Sequence, residues 1–368
     1  MDGEQLNFFE ELGEFNPHLR VHESDDWRWE FKDYPAKNGL KVFSCFACGG
    51  GSTMGYKLAG CEVLGDLEID PRVNAVYVAN HKPKYNFVMD IRDFNKMDDL
   101  PEELYHLDIL DGSPPCTSFS IAGQREETWG KAKKFREGQT EQTLDDLSFH
   151  FIATAKKLHP KVVIMENVEG LLLGEAWSYV QKIYSDFADA GYSVNHYLLK
   201  GEAIGVPQTR HRVFFVAVRK DFNFDFCRLD MNFNYKPVLY GMIKQGTGRP
   251  ITEGTELANI LEQSNENDKR VGDIYRRKGE KERRFGTRLC WDDRTLQTIT
   301  AAGEYIRPRE KVFISTSDFC SAQTFPQDYN FLNQNPQYVC GMSVPPVMIK
   351  RLITRVIDTG IFKNGGGS

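Results

Sequence analysis

The sequence predicts an α/β protein, a doubly wound, mostly parallel sheet with a second, smaller domain. Three observations carry that expectation. From Lys41 onward, short apolar strands alternate with turn-and-helix segments, the rhythm of βαβ units. Residues 161–167 hold a continuous Val-Val-Ile-Met run, as in a strand buried on both faces. A strand at 107–111 is expected to break at Gly112, Pro114 and Pro115, and the prolines cannot continue a ladder. One cysteine, Cys116, follows at once, at the sheet edge where open α/β folds place their chemistry.

The elements follow in order. Residues 1–39 are polar, aromatic and irregular and read as an N-terminal extension; Trp27 and Trp29 are its candidates for packing on the core. Strand one is expected at 41–45, a tight loop at 48–52 and a short helix at 53–59 closed by Gly60. Strand two spans 63–68, and Pro71 opens the next helix at a position proline favours. Strand three is expected at 86–90, strand four at 107–111, an amphipathic helix at 144–158 and strand five at 161–167. A helix at 177–190 stops at Gly191, and strands at 193–200 and 213–219 complete a domain of residues 40–219. The rhythm then fails: 220–330 read as the small domain, its most irregular part at 220–290. An amphipathic helix beginning at Val344-Pro345-Pro346 and running through Val356 resembles the first domain, so 331–364 are expected to return to it. Residues 365–368 read as an appended linker.

Composition narrows the class. A chain of 368 residues supports two domains. It holds no apolar run long enough to span a bilayer and no basic-then-apolar leader. Eight cysteines in this length do not make a disulfide framework. Cys45 and Cys48 form a lone C-x-x-C pair with no second pair to complete a zinc site, so no metal is expected. A reducing cytoplasm fits best. The net charge of −6 argues against a generic polyanion binder, yet residues 269–288 carry nine Lys/Arg against three acids. Phosphate contact is the expected use of that excess.

The residues suggest a chemistry. The loop Phe46-Ala47-Cys48-Gly49-Gly50-Gly51 follows strand one directly and suits close backbone approach by a ligand. Glu68 ends strand two, where an acid holds ribose hydroxyls, and Asp90 is expected to end strand three, within reach of an adenine amine. Together they point to an adenosine-containing cofactor. The neighbouring strand ends Glu166-Asn167-Val168, which should face Cys116. A thiol and a carboxyl group suit attack on a conjugated ring: sulfur adds to a ring carbon while the acid engages a ring nitrogen. Arg210 and Arg212 alternate onto one face before the last strand, where paired guanidiniums suit carbonyl or anionic oxygens.

At this point the chain resembles a DNA (cytosine-5)-methyltransferase, from about Lys41 to Val356. Phe46–Gly51 is similar to the family's first motif, Pro114-Pro115-Cys116 to its catalytic motif, and Glu166-Asn167-Val168 and Gln208-x-Arg210-x-Arg212 to the next hallmarks. Gln323-Thr324-Phe325-Pro326 and Gly341-Met342-Ser343-Val344-Pro345-Pro346 resemble the last two. The resemblance implies a class I, Rossmann-like methyltransferase fold and S-adenosylmethionine as donor, leaving S-adenosylhomocysteine. Phe46, Ala47, Gly49, Gly50, Gly51, Glu68, Ile69, Asp90, Ile91, Pro114, Ser343 and Val344 would hold that donor. It further implies that Cys116 attacks carbon 6 of a cytosine flipped out of duplex DNA, that Glu166 engages nitrogen 3 and the exocyclic amine, and that Arg212 contacts the base carbonyl, with Asn167 and Arg210 in support. Ser118, Ser120, Gln124, Arg125, Lys131 and Lys133 would lie on the loop closing over DNA. Arg276, Arg277, Arg283, Arg284 and Arg288 would lie in the target-recognition region.

The implied protein is a monomer acting on double-stranded DNA in a restriction-modification or orphan system of a bacterium or phage-infected host, with a cognate endonuclease left open. Four positions depart from the family pattern: Cys48 for a glycine, Thr117 for a glutamine, Ser321 for an arginine and Met342 for an asparagine. Rival readings are an RNA cytosine methyltransferase of the same fold and a catalytically silent DNA-binding protein. The long variable region disfavours the first; the intact Cys116, Glu166 and Arg212 disfavour the second.

Overall fold

The computed structural model describes residues 27–115 and 146–363. Its main sheet is built from β1 (Lys41–Cys45), β2 (Glu62–Glu68), β3 (Tyr85–Val88), β4 (Ile109–Gly112), β5 (Val162–Val168), β6 (Tyr192–Lys200) and β8 (His211–Arg219), with the two-residue β7 (Gln208–Thr209) lying outside it. The strand order is β3-β2-β1-β4-β5-β8-β6. The pairs from β3 across to β5 are parallel, and β8 alone runs against its two neighbours. This is the doubly wound α/β fold that the alternating pattern predicts.

Period-two alternation sends successive side chains to opposite faces, and the two cores divide accordingly. Phe43, Leu110, Val163, Met165 and Phe215 pack with the helices Leu147–Leu158 and Trp177–Asp189. Val42, Ile109, Val162, Ile164, Phe214 and Val216 pack with Met348, Ile349, Leu352 and Val356 of the helix Pro346–Asp358. That helix crosses Gly51–Leu58 so closely that a Cβ on Gly55 would sit 2.5 Å from Ile349 Cβ.

The remaining strands are β9 (Arg249–Pro250), β10 (Thr287–Leu289), β11 (Leu296–Gln297), β12 (Glu304–Arg307) and β13 (Val312–Phe313). Four of them form a second sheet, β10-β12-β13-β9, over a core of its own that includes Ile260, Ile274, Trp291 and Ile306. The fifth, β11, pairs with β7 and so ties this region to the segment that enters β8. Leu229, Met231 and Phe233 pack against the main sheet, so the chain leaves the first core later than residue 220. Trp27 and Trp29 are buried in a third cluster with Val238, Ile299 and Phe325, and Trp29 Nε1 donates to Thr324 O at 2.9 Å.

Two expected boundaries are corrected. Gly112 is the last paired residue of β4, facing Cys45 and Met165, so the strand breaks only at the prolines that follow. β3 stops at Val88, so Asp90 does not end a strand. It caps the short helix Ile91–Phe94, its carboxylate accepting from Arg92 N at 2.8 Å, because a side-chain acceptor satisfies a helix's first free N–H groups.

Candidate active site

A cleft opens at the C-terminal edge of the parallel strands. Phe46, Glu68, Ile69, Asp90 and Ile91, all named from the sequence, line it. Cys48, Asp70, Met89, Ser113 and Pro115 line it too, and Tyr338 and Met342 reach it from the helix Pro336–Met342. Tyr338 carries no local signal, and Met342 is marked only by the motif around it; the return of a distant segment places both there.

Glu68 organises the floor. Its carboxylate accepts from the backbone N–H groups of Cys48, Ile69 and Asp70, each at 2.9 Å. Burial pushes the Glu68 carboxyl up from the usual range, and those three N–H groups hold it back. Phe46, Cys48 and Gly50 alternate in the left-handed region, with φ of 55°, 47° and 82°. Cys48 therefore takes a conformation that a glycine would adopt at less cost. Burial pushes its thiol up to about 12.

The glycines of this loop face protein. A Cβ on Gly49 would fall 2.4 Å from Val339 Cγ1, on Gly50 2.1 Å from His81 Nε2, and on Gly51 2.2 Å from Val344 O. Gly49, Gly50 and Gly51 thus let the loop seat on His81 and on the returning C-terminal segment. Ala47, Pro114, Ser343 and Val344 also lie behind the cleft wall: Ser343 Oγ donates to Val339 O at 2.8 Å, and Pro114 O accepts from Asn167 Nδ2 at 3.4 Å. Gly50→Ala is expected to lower the unfolding free energy by about 1–3 kcal/mol, through positive-φ strain and the His81 overlap. Urea unfolding of the two proteins checks it.

The second half of the site lies beside it. β4 and β5 pair in register through Gly112 and Met165, so Glu166 follows directly beside the segment that leads to Cys116. Glu166 is buried and its Oε1 lies 2.8 Å from Arg212 Nε; Arg212 Nη1 donates to His211 O at 2.7 Å. Burial lowers the Arg212 pKa, and the Glu166 charge opposes that. Arg210, one residue ahead of β8, turns elsewhere. Its guanidinium donates to Ile299 O at 3.1 Å and to Gly341 O at 3.2 Å, while its Nε is buried without a partner among the described residues. Burial and the Arg212 charge bring the Arg210 pKa down to about 9. Beneath both halves, Asp111 accepts from Ser44 Oγ at 2.7 Å and Tyr56 OH at 3.1 Å; burial pushes its carboxyl up to about 7.

His211 sits between two acids at the rim, Nδ1 3.2 Å from Glu169 Oε2 and Nε2 2.9 Å from Glu202 Oε1. The hydrogen bond to Glu202, with the charges of Glu202 and Glu169, raises its pKa, against burial. Lys200 and Arg212 are the nearby cations. A raised folded-state pKa gives stability that is complete below the unfolded value of about 6.5 and lost as pH rises through the folded one. His211→Gln is therefore expected to flatten the decline of the urea midpoint above about pH 6.5. An unchanged slope would refute the bridge.

Cys116, Ser118, Ser120, Gln124, Arg125, Lys131 and Lys133 lie outside the described residues, as does Thr117. The cationic run is sorted by its partners. Arg276 pairs with Asp273 and Glu282, Arg277 with Asp268, Arg283 with Glu256 and Arg284 with Glu304. Arg288 instead stacks on Tyr305. Among the described residues, no cluster of three His, Cys, Asp or Glu side chains could hold a metal ion, and no helix is long and apolar enough to cross a membrane.

Residues 40–358 match the family described as C-5 cytosine-specific DNA methylase. The chain belongs to that family. It is 35% identical over 184 residues to Type II methyltransferase M.FnuDI of Fusobacterium nucleatum, covering 50% of this chain and 48% of that protein. It thus spans about half the length of that relative. Over 332 residues it is 28% identical to Type II methyltransferase M.Eco47II of Escherichia coli, covering 83% of this chain and 75% of that one. A mutant of Spodoptera frugiperda DNMT2 shares the fold, with a TM-score of 0.58 at 17% identity over 87% of this chain and 100% of that chain.

Proposed function

We propose that this C-5 cytosine-specific DNA methylase family member transfers a methyl group from S-adenosylmethionine to carbon 5 of a cytosine flipped out of duplex DNA, through a covalent Cys116 adduct. The observation that carries the proposal is the buried Glu166–Arg212 pair at 2.8 Å, set beside the strand end that leads into Cys116.

The cleft fits the donor. Phe46, Ile69, Met89 and Ile91 offer apolar walls, Glu68 keeps acceptor capacity for a ribose diol, and Asp90 for an adenine amine. When bound there, the donor supplies an electrophilic methyl group. The chain's own residues do the rest. The Cys116 thiolate adds to carbon 6, which drives electron density onto the ring. Glu166 meets nitrogen 3 and the exocyclic amine and holds the proton at that nitrogen. Arg212 neutralises the Glu166 carboxylate through Nε. Its Nη2 is the atom assigned to the base carbonyl. Transfer of the carbon-5 proton to solvent then re-forms the ring double bond and expels the Cys116 thiolate as the carbon 6–sulfur bond breaks. Arg210 acts at one remove, fixing the Ile299 and Gly341 carbonyls that back the site.

Residues 40–219 with the C-terminal helix serve as the catalytic unit in this reading, and the second sheet as the target-recognition unit. The protein works as a monomer in the cytoplasm of a bacterium or phage-infected host, in a restriction-modification or orphan system.

The test uses tritiated S-adenosylmethionine with duplex DNA of random sequence, and a duplex carrying 5-fluorocytosine. Transfer to DNA and an adduct mapped to Cys116 support the proposal. Transfer to transfer RNA alone replaces DNA with RNA as the substrate, and transfer to neither, with donor bound, leaves a silent DNA-binding protein.

A further inference from the structure

The second sheet displays its cations unequally. Arg276, Arg277, Arg283 and Arg284 each spend donors on a carboxylate. Arg270 and Arg288 do not: among the described residues neither guanidinium pairs with a carboxylate. Their backbones form an antiparallel bridge, which sets the two side chains next to each other. Each guanidinium lies over an aromatic ring, Arg270 over Phe285 at 4.6 Å and Arg288 over Tyr305 at 5.1 Å. Stacking occupies the flat face of a guanidinium and leaves its in-plane fork of donors for other partners. Arg288 spends one such donor, Nη1 to Gly286 O at 3.3 Å.

Phe285 is 66% exposed, the most exposed large apolar side chain of the described residues. A single exposed aromatic is ordinary by itself. This one stands at the tip of a tight turn closed by Thr287 N donating to Arg284 O at 2.9 Å, with Arg284 in the left-handed region at φ 54°. It packs on Arg270 and nothing covers its outer face among the described residues. Arg249 is also stacked, on Phe313, but it belongs to β9 at the opposite edge of the sheet from β10.

The Arg270–Arg288 edge leads to the catalytic residues. Lys269 O accepts from Gln297 Nε2 at 2.6 Å, and β11, which holds Gln297, pairs with β7 just ahead of Arg210. From the other side, Arg210 fixes Ile299 O, and the segment that follows brings Gly303 against Arg288, where an added Cβ would lie 2.9 Å from Nη1. Two half-buried guanidiniums and an exposed apolar tip thus lie together at one edge, joined by backbone to the segment that carries Arg210 and Arg212.

We infer that Arg270, Arg288 and Phe285 are the specificity-determining residues of this enzyme, reading base edges in the major groove of duplex DNA, the arginines at guanine and Phe285 at an apolar base edge such as the thymine methyl. This rests on the proposed action on DNA. The chemistry is that of direct readout: a guanidinium fork matches O6 and N7 of guanine, and a phenyl ring suits the thymine methyl. The ion-paired arginines carry out no base reading.

The experiment incubates wild type, Arg288→Ala, Arg288→Lys, Phe285→Ala and Arg283→Ala with a pool of duplexes of randomised sequence. Methylated positions are then read by bisulfite sequencing. Affinity for one fixed duplex is measured alongside by fluorescence anisotropy, and folding by the unfolding midpoint. Arg288→Ala and Arg288→Lys are expected to relax preference for one guanine of the site by roughly ten- to a hundredfold, lysine included because it keeps the charge and loses the fork. Phe285→Ala is expected to relax a neighbouring position, and Arg283→Ala to leave the profile unchanged. Unchanged profiles in the Arg288 and Phe285 variants overturn the inference. So does a loss spread evenly over all sequences, the mark of phosphate contact. If wild type methylates no DNA, the proposed function itself has failed and this inference falls with it; an intact wild-type profile separates the two failures.

Discussion

Cys116→Ala is expected to leave no measurable methyl transfer, and Glu166→Gln to lower kcat by about 10²–10⁴-fold. The two losses differ in kind. Without the thiol, carbon 5 of a cytosine is too poor a nucleophile, and no other described cysteine can stand in: Cys45, Cys61, Cys290, Cys320 and Cys340 are buried, the exposed Cys227 does not line the cleft, and the Cys48 thiol is pushed up to about 12. Without the Glu166 carboxylate, the adduct still forms, but charge at ring nitrogen 3 goes uncompensated. The Glu166→Gln change would also leave Arg212 buried with its ion-pair partner replaced by a neutral amide, which costs more than the lost contact alone. Single-turnover transfer and 5-fluorocytosine trapping separate the cases. Cys116→Ala should fail in both, whereas Glu166→Gln should trap slowly and turn over slowly. Equal rates for wild type and Glu166→Gln would remove Glu166 from the mechanism.

The main sheet was legible because burial on two faces writes itself locally. Val162–Val168 and His211–Arg219 are runs of apolar residues whose alternation sorts them to two cores, and the glycines at 60 and 191 mark turns at φ 82° and 91°. Glu68 was legible for the same reason, as an acid ending an apolar strand. What the sequence could not display is pairing across distance. Asp90 sits in a stretch that reads as strand or as cap, and only the end of β3 at Val88 decides between them. The cations between 269 and 288 look alike until Glu256, Asp268 and Glu304 are brought to some of them and aromatic rings to others. The glycines of the first loop suggest ligand approach, yet their open sides are filled by Val339 and Val344, nearly three hundred residues away in the chain.

Arg307 is the clearest such case, and Arg307→Ala is expected to lower the unfolding free energy by about 3–5 kcal/mol. Nothing near it in the sequence marks it. In the structure its side chain is 4% exposed and its three nitrogens meet five acceptors. Nε donates to Tyr240 OH, Nη1 to Gly246 O and Glu310 Oε2, and Nη2 to Gln245 O and Asp318 Oδ2, the last at 2.6 Å. Asp318 is fully buried and also accepts from Gln245 N and Ser315 N. This network joins β12 to the helix Thr316–Gln323 and gives a physical account of Ser321. Where the family pattern places an arginine on that helix, Ser321 Oγ accepts from Gln245 Nε2 at 3.1 Å, and the buried cation arrives from β12 instead. Removing Arg307 leaves the Asp318 carboxylate buried without its counter-charge, which is the costly event. Arg307→Lys should recover little, because one ammonium cannot replace a planar fork bonded on three sides. Arg307→Met combined with Asp318→Asn should recover part of the loss, since the buried charge is then gone as well. Urea midpoints of the four proteins test this. A double variant no better than Arg307→Ala would mean that shape rather than charge holds the seam. Because β12 pairs with β10 through Arg288 and Tyr305, Arg307→Ala should also blur the DNA preference at temperatures where the protein remains folded.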